Sequence, residues 1–263
     1  MKQSFKNPLS GMSTATAILL GTFIISFSIL LSGGVIQIKG LNTSRAATGT
    51  QAAQAPTQPT QQAPQAAPPE NTGPVKVSVD DDPFLGKKDA PLTVIDFSDY
   101  ECPFCKRHFE QTFSQIKKDY IDTGKIKYVY RDLPLSFHDP MATTEAIAAN
   151  CARDQGGDTS YFKYHDEIFK RTTSNGNGLN KDQLYTMAKD LGLNEGTFKS
   201  CLDSEKYKEE VQKDLADASA AGASGTPTFF IGKTTSSGEI DGTRLVGAQP
   251  YSAFQAIIDQ QLK

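Results

Sequence analysis

Hydrophobic positions are distributed unevenly along the chain, and the longest uninterrupted run lies near the N-terminus. Residues 1–11 form a short basic tail, and no charged side chain occurs from residue 7 to residue 38. Residues 12–31 are mostly apolar, which is about the length that a helix needs to cross a hydrocarbon core ~30 Å thick. We therefore interpret residues 12–38 as a transmembrane anchor. A cleaved signal peptide, whose apolar region usually spans about 7–15 residues, is the alternative.

The following segment, residues 39–74, is rich in glutamine, alanine and proline and poor in bulky apolar or charged side chains. Such a composition cannot offset the entropy lost on ordering, so it predicts a disordered linker. Its prolines favour extended conformations that would hold the next domain away from the membrane. Positive groups before residues 12–38 slightly outnumber those just after, which favours an extracytoplasmic position for that domain.

Residues 75–263 have the pattern of a folded α/β domain, which begins with a strand–helix–strand unit. The alternating residues 75–79 predict an edge strand, and the β-branched, apolar residues 92–97 predict a buried central strand. Apolar positions at helical spacing then predict a helix that ends near residue 120, and residues 126–130 predict the next strand. Two strands joined by a helix in about 40 residues form a βαβ unit with parallel strands.

The pattern then becomes helical and afterwards returns to strands. Residues 140–222 predict a helical insertion, with separate helices at 142–152 and 161–169. Asn180 and Gln183 predict a capping box at the start of a further helix. After the insertion, two strands and a terminal helix are predicted at 227–232, 244–247 and 251–262.

Charge limits the kinds of partner that the chain can bind. It has 27 basic and 30 acidic side chains, a net charge of −3. Residues 1–79 contain five of the basic and one of the acidic side chains, so the remainder has 22 basic and 29 acidic side chains. Nucleic-acid binding needs a concentrated basic surface, and we therefore expect no nucleic-acid partner.

Four cysteines, an even number, fit an oxidising compartment and permit three pairings. Cys102 and Cys105 follow the predicted central strand, and Pro103 takes the favoured first position of the predicted helix. The unpaired N–H groups and the positive dipole at a helix N-terminus stabilise a thiolate, the reactive species in disulfide exchange. We therefore expect Cys102 to be an exposed nucleophile and Cys105, one turn further on, to be the resolving thiol.

Spacing alone leaves other interpretations of the pair open. The two cysteines could form a purely structural disulfide. With His108 they provide three potential metal ligands, but no fourth ligand occurs at a usual spacing, so no metal site is expected. A haem attachment motif requires histidine at the position of Lys106.

Three sequence features together identify a family resemblance. They are the CxxC pair at a strand-to-helix junction, Asp96 six residues before Cys102, and the segment from Gly225 to Ile231. With these features, residues 80–263 resemble the DsbA-like branch of the thioredoxin-fold family, in which the last segment forms a cis-proline loop and a strand. The resemblance implies a central mixed β-sheet flanked by helices, an inserted helical subdomain, protein-disulfide oxidoreductase activity and no cofactor.

The resemblance also implies roles for individual residues. Asp96 would lie buried beneath the disulfide, where a raised pKa would let it accept the proton of Cys105. An ordinary hydrogen-bonded acid at a strand end is the alternative. Pro227, after a cis peptide bond, would lie against the disulfide and belong to the surface that pairs with an extended substrate. The residues expected to contact substrate are Pro103, Phe104, Thr226 and Pro227.

The remaining cysteines and the histidines are expected to be structural. Cys151 and Cys201 lie in two predicted insertion helices, and the resemblance implies a disulfide between them; two buried free thiols are the alternative. Three histidines are expected on helix surfaces or at helix ends rather than as catalytic groups. They are His108, His138 and His165.

The resemblance implies that the Cys102–Cys105 disulfide exchanges with thiols of secreted or membrane proteins. The favoured function is a disulfide-donating oxidase, reoxidised by a membrane partner and held at the cell membrane by residues 12–38. Signal cleavage would instead give a secreted or periplasmic protein. The branch is known for Pro-His between its cysteines, whereas Phe104 supplies no hydrogen bond or charge, so a reductase or isomerase is an alternative. A non-catalytic binding module with structural disulfides and a metal-delivery protein are alternatives from other classes.

Overall fold

The computed structural model describes residues 73–263. The predicted basic tail, the predicted anchor at residues 12–38 and the predicted linker up to residue 72 lie outside the described residues. Within residues 73–263, no helix combines the length and the apolar character needed to cross a membrane.

A six-stranded mixed sheet occupies the centre of the described chain. Its strands are β1 (Val75–Ser78), β2 (Phe84–Gly86), β3 (Leu92–Ser98), β4 (Ile126–Asp132), β5 (Thr228–Lys233) and β6 (Glu239–Val246). They are arranged in the order β1-β6-β5-β3-β4-β2. β3 and β4 are parallel, and every other neighbouring pair is antiparallel. All residues of β3 and β4 are buried, as expected for central strands that are covered on both faces.

Helix α1 connects β3 to β4 and completes the predicted βαβ unit. It consists of four consecutive segments, Pro103–His108, Phe109–Phe113, Ser114–Ile116 and Lys117–Ile121. The second and fourth segments are π-helical. The other helices are α2 (Met141–Arg171), α3 (Lys181–Asp190), α4 (Glu195–Asp203), α5 (Lys208–Ala220) and α6 (Tyr251–Gln261).

The helical insertion between β4 and β5 comprises α2 to α5, and the capping box predicted at Asn180 and Gln183 is confirmed. The separate helices predicted at 142–152 and 161–169 correspond to the two halves of α2, which meet at a kink. Gly156 and Gly157 have non-helical backbone angles and interrupt the helix between these two halves. Gly157 has a φ of 63° and a ψ of −160°, which residues with a side chain rarely adopt.

The strand predictions differ from the structure mainly at short elements. The predicted edge strand at residues 75–79 is confirmed as β1. The sequence pattern gives no sign of β2, because three residues are too few to show alternation. β6 starts at Glu239, well before the strand predicted at 244–247.

Three apolar clusters cover the sheet and fill the insertion. One of them, with Phe113 and Phe254, packs α1 and α6 on one face of the sheet. A second cluster, with Phe97 and Ala218, packs α5 on the opposite face. The third cluster fills the insertion and includes both cysteines of the CxxC pair. The pair therefore lies where the insertion meets the sheet and α1.

A buried ion network joins β4 to α5 and to the N-terminal strand. Arg131 Nε lies 2.9 Å from Asp214 Oδ1 and 2.7 Å from Asp82 Oδ2, and its guanidinium also lies 2.8 Å from Asp217 Oδ2. It donates a further hydrogen bond to the Ser78 carbonyl at 3.1 Å. The Arg131 side chain is completely buried, so these carboxylates are the counter-charges that keep it in the interior.

A disulfide joins Cys151 of α2 to Cys201 of α4, 50 residues apart in sequence. By the chain-entropy relation, closing a loop of that length contributes roughly 4 kcal/mol to the free energy of unfolding. The other two cysteines, Cys102 and Cys105, are free thiols.

Candidate active site

The turn between β3 and α1 places Cys102 at the N-terminal end of a helix. β3 ends at Ser98, and the Cys102 N–H donates to the Asp99 carbonyl at 3.1 Å. Pro103 is the first helical residue, and no side chain caps the helix. The free N–H groups of the first turn, including that of Phe104, therefore interact with the Cys102 sulfur.

The two free thiols differ in acidity. A hydrogen bond from the Cys105 thiol lowers the pKa of Cys102 to about 6, although burial acts in the opposite direction. Burial raises the pKa of Cys105 well above its usual range. At neutral pH the thiolate is therefore on Cys102, which is the sulfur able to attack a disulfide or to leave from one.

The prediction that Cys102 is exposed is wrong, because only 3% of its surface is accessible. The loop before β5 covers it, and the Cys102 sulfur lies 3.5 Å from the Thr226 carbonyl oxygen. The Thr226–Pro227 peptide bond in this loop is cis. The Gly247 N–H donates to the Pro227 carbonyl at 2.8 Å and holds the loop against the end of β6.

Three large apolar side chains are strongly exposed among the described residues, and each belongs to a segment next to the cysteine pair. Phe104 lies between the cysteines and is 52% exposed. Val246, at the end of β6 beside the cis-proline loop, is 53% exposed, and Phe137 is 75% exposed. Phe137 precedes a histidine that contacts Asp99 in the turn before the cysteines. We call Phe104, Phe137 and Val246 the apolar rim.

Asp96 lies in β3 beneath the cysteine pair and is 3% exposed. Burial raises its pKa to about 7, although a hydrogen bond from Tyr128 acts in the opposite direction. Asp96 and Cys105 line the same small cavity, which has room for about one water molecule. A carboxyl group with this pKa can take up or release a proton near neutral pH.

The predicted surface positions of the histidines are wrong, since all three side chains are buried. His108 packs against the aromatic rings of Phe229 and Phe254, and burial lowers its pKa to about 3. His138 Nδ1 lies 2.7 Å from Asp99 Oδ2, and burial lowers the pKa of His165. Helical spacing could not reveal this, because distant parts of the chain cover these side chains.

Asp99 organises the turn before the cysteines, a role that the sequence did not indicate. Its Oδ1 accepts the Glu101 N–H at 2.7 Å, and its Oδ2 accepts the Leu135 N–H at 2.9 Å. One sequence signal could have indicated this role. Three acidic residues, Asp96, Asp99 and Glu101, lie in the six residues before Cys102, and no basic residue lies among them.

Glu101 is held by the chain that follows α2 and is completely buried. Its carboxylate accepts the Thr172 hydroxyl at 2.7 Å and the Gly178 N–H at 3.0 Å, and its carbonyl accepts the Asn175 N–H at 2.7 Å. Through these hydrogen bonds, the Glu101 carboxylate contacts the insertion. Glu101 thus connects the backbone next to Cys102 to the insertion.

Glu145 of α2 interacts with Glu101 in the interior. It is completely buried, and neither of its carboxyl oxygens has a hydrogen-bond partner among the described residues. Burial raises the pKa of Glu145 well above its usual range, and the charge and hydrogen bonding of Glu101 raise it further. Both effects favour the protonated form of Glu145 in the folded protein, and this form can donate a hydrogen bond to Glu101.

This proton predicts a pH dependence of stability. Above the usual pKa of a glutamate, the unfolded chain loses the proton that folded Glu145 retains, so the free energy of unfolding falls as pH rises. Glu145→Gln keeps a donor to Glu101 and removes the titration. We expect it to raise stability at pH 8 by on the order of 1 kcal/mol and to flatten the decline from pH 5 to pH 8.

Urea unfolding at several pH values measures this effect. Glu209→Gln, at an exposed glutamate of α5, is the matched control and should leave the wild-type slope unchanged. An unchanged decline in stability from pH 5 to pH 8 in Glu145→Gln would show that a proton on Glu145 does not cause the decline.

The described residues contain one group of three potential metal ligands, the carboxylates of Asp82, Glu210 and Asp214. Arg131 already forms ion pairs with two of them, so an arginine supplies the positive charge there. This group belongs to the ion network of β4 and α5 and not to the cysteine site.

Known proteins resemble this chain in sequence and in fold. Residues 78–260 match a family profile described as Thioredoxin. Disulfide bond formation protein D of Bacillus subtilis (strain 168) is 31% identical over 156 residues, which cover 59% of this chain and 69% of that protein. The crystal structure of oxidised BdbD from Bacillus subtilis is 25% identical, with a TM-score of 0.63, and the match covers 73% of this chain and 99% of that one.

A longer protein also contains a related segment. The Na(+)/H(+) antiporter NhaA of Herminiimonas arsenicoxydans is 32% identical over 178 residues, which cover 68% of this chain and 25% of the antiporter. The chain thus spans about a quarter of that relative. The family match extends over most of residues 73–263 and includes the cysteine pair, Asp96 and the cis-proline loop. The chain therefore belongs to the thioredoxin family, as a DsbA-like protein-disulfide oxidoreductase with a helical insertion.

Proposed function

We propose that the protein is an oxidase that donates its Cys102–Cys105 disulfide to cysteine-containing proteins outside the cytoplasm. The unequal acidity of the two thiols is the observation that carries the proposal. The hydrogen bond from Cys105 lowers the pKa of Cys102 to about 6, whereas burial raises the pKa of Cys105. A stabilised Cys102 thiolate favours the reduced form of the pair, and a couple whose reduced form is stabilised is a stronger oxidant.

In the proposed reaction, Cys102 is the sulfur that substrate attacks and Cys105 is the internal partner. A substrate thiolate attacks Cys102 Sγ, and the Cys102–Cys105 bond breaks. The electron pair goes to Cys105, which takes a proton from Asp96. A second substrate thiolate then attacks the first substrate sulfur, and Cys102 leaves as a thiolate. The substrate gains a disulfide, and its two electrons remain on the cysteine pair.

We assign substrate contact to the surface around Cys102, formed by Pro103, Phe104, Thr226 and Pro227. The Thr226 carbonyl lies 3.5 Å from the Cys102 sulfur, so an extended segment bound along this loop would bring its cysteine to the reacting atom. The apolar rim supports the same assignment, because exposed apolar side chains of an incompletely folded protein can pack against it.

The proposed location is the outer side of the cell membrane, with residues 12–38 as the anchor and residues 39–74 as the spacer. A secreted or periplasmic protein, after signal cleavage, is the alternative. An oxidising compartment fits the Cys151–Cys201 disulfide. Reoxidation of the reduced pair requires an electron acceptor, for which we propose a redox protein of the same membrane.

The reduction potential of the Cys102–Cys105 pair tests the direction of exchange. In equilibrium with glutathione, we expect a potential above about −200 mV, towards that of DsbA (about −120 mV) and away from that of thioredoxin (about −270 mV). A lower potential would instead indicate a reductase. The oxidised protein should also form disulfides stoichiometrically in reduced, unfolded ribonuclease. Cys105→Ser, which has no Cys102–Cys105 disulfide to donate, is the matched control.

A further inference from the structure

We infer that Tyr128 and His108 are positioning residues for Asp96, and that the three form a buried hydrogen-bonded chain beneath Cys105. The inference rests on the proposed role of Asp96 as the proton carrier for Cys105. Asp96 belongs to β3, His108 to α1 and Tyr128 to β4, and each is at most 3% exposed. The three hydrogen-bonded side chains therefore come from all three elements of the βαβ unit.

The direction of the hydrogen bonds follows from the number of protons. The Tyr128 hydroxyl donates to Asp96 Oδ2 at 2.6 Å. A hydroxyl has one proton, so the contact of 3.4 Å between the same oxygen and His108 Nε2 must be donated by the histidine. Burial lowers the pKa of His108 to about 3, which makes the ring neutral with a single N–H. That proton is therefore on Nε2.

The consequence is a defined set of acceptors beside Cys105. Asp96 Oδ1 and His108 Nδ1 are buried and have no hydrogen-bond partner among the described residues. Both side chains line the small cavity that Cys105 also lines. Of the two, Asp96 is the stronger base, because its pKa is about 7 and that of His108 is about 3. A proton from Cys105 therefore goes to Asp96 Oδ1.

The position of His108 is fixed by aromatic rings and not by charge. Its ring centroid lies 4.6 Å from that of Phe229 in β5 and 5.3 Å from that of Phe254 in α6. Among the described residues, no Lys or Arg lines the cavity, so no positively charged side chain there faces Asp96. Tyr128 instead stabilises the Asp96 carboxylate with a hydrogen bond from a neutral hydroxyl. The titratable groups that face this site from the surrounding elements are Cys102, Cys105, His108, Tyr128, Tyr130 and His165.

The step affected is resolution of a mixed disulfide on Cys102. Cys105 transfers its proton to Asp96 and attacks Cys102 Sγ. The Cys102–Cys105 bond forms, the bond from Cys102 to its partner sulfur breaks, and the electron pair leaves on that sulfur. Because Tyr128 stabilises ionised Asp96, its hydroxyl sets the pH above which Asp96 can accept the proton.

The test uses the full-length protein with a mixed disulfide between Cys102 and glutathione. Glutathione release is followed from pH 5 to pH 9. In the wild type, the rate constant should rise with a midpoint near 7, the pKa of Asp96. Tyr128→Phe should move this midpoint up by about one pH unit, because a hydrogen bond to a carboxylate is lost. His108→Phe should move it in the same direction by a smaller amount.

Three results would overturn the inference. They differ in whether the proposed role of Asp96 fails as well. If Asp96→Asn retains the step near pH 7, Asp96 is not the titrating group, and its proposed role fails together with the inference. If Asp96→Asn abolishes the step and Tyr128→Phe leaves its midpoint unchanged, the inference alone fails. The same holds if Tyr128→Phe only lowers the melting temperature, which is the result expected of a merely structural hydroxyl.

Discussion

Cys102→Ala is expected to reduce disulfide exchange to the background rate, a loss of at least roughly 10³-fold. Cys102 is the thiol with the lowered pKa, and Cys105 is fully covered and has a raised one, so no second thiolate can replace it. The fold should persist, because an alanine at this position loses little apolar contact. Insulin reduction by dithiothreitol and oxidation of unfolded ribonuclease measure the loss, and circular dichroism checks the fold.

Two further variants distinguish effects on disulfide exchange from effects on the stability of the fold. Cys105→Ser should retain attack by Cys102 but accumulate mixed disulfides, visible as mass adducts of the substrate. The double variant Cys151→Ala and Cys201→Ala should retain exchange, although its free energy of unfolding should fall by roughly 4 kcal/mol. If Cys102→Ala kept wild-type activity in both assays, the pair would be structural and the oxidase proposal would be wrong.

Arg131→Ala should lower the free energy of unfolding by about 3–5 kcal/mol. The substitution leaves Asp82 and Asp214 buried without their positive partner, and a buried unpaired carboxylate is costly. Burial already raises the pKa of Asp214 to about 6, and the loss of the arginine should raise it further. The folded state then binds more protons than the unfolded state, so the deficit should shrink as pH is lowered from 8 to 5.

Urea unfolding of wild type and variant at each pH measures both effects. Arg171→Ala is the matched control, since Arg171 forms ion pairs with Glu167 and Asp190 at the surface. We expect it to cost about 0–1 kcal/mol with little pH dependence. A similar cost for both variants would mean that the Arg131 network contributes no more than surface ion pairs do.

The regular elements of the fold could be predicted because their signals are local. The alternating or continuous apolar residues of β1, β3 and β4 and the capping box of α3 are short-range patterns. The break in α2 at Gly156 and Gly157 lies between the helices predicted at 142–152 and 161–169. Both halves of α2 contribute buried residues to the insertion core.

The candidate site was predictable where a family motif marks it and unpredictable where distant residues complete it. Cys102 could be singled out by its spacing and helix position, but its burial depends on Thr226, which is 124 residues away in sequence. The partners of Glu101 are 71 and 77 residues away, at Thr172 and Gly178. Such contacts are set by the packing of the insertion against the sheet, which no local pattern encodes.

The shortness of the two edge strands has a consequence for how the protein handles incompletely folded chains. β1 has four residues and β2 has three, so each edge strand itself offers few unpaired N–H and C=O groups. Long open edges act as templates on which extended polypeptides aggregate. In the proposed function, edge strands this short would pair only weakly with an extended substrate, which favours release of the substrate after exchange.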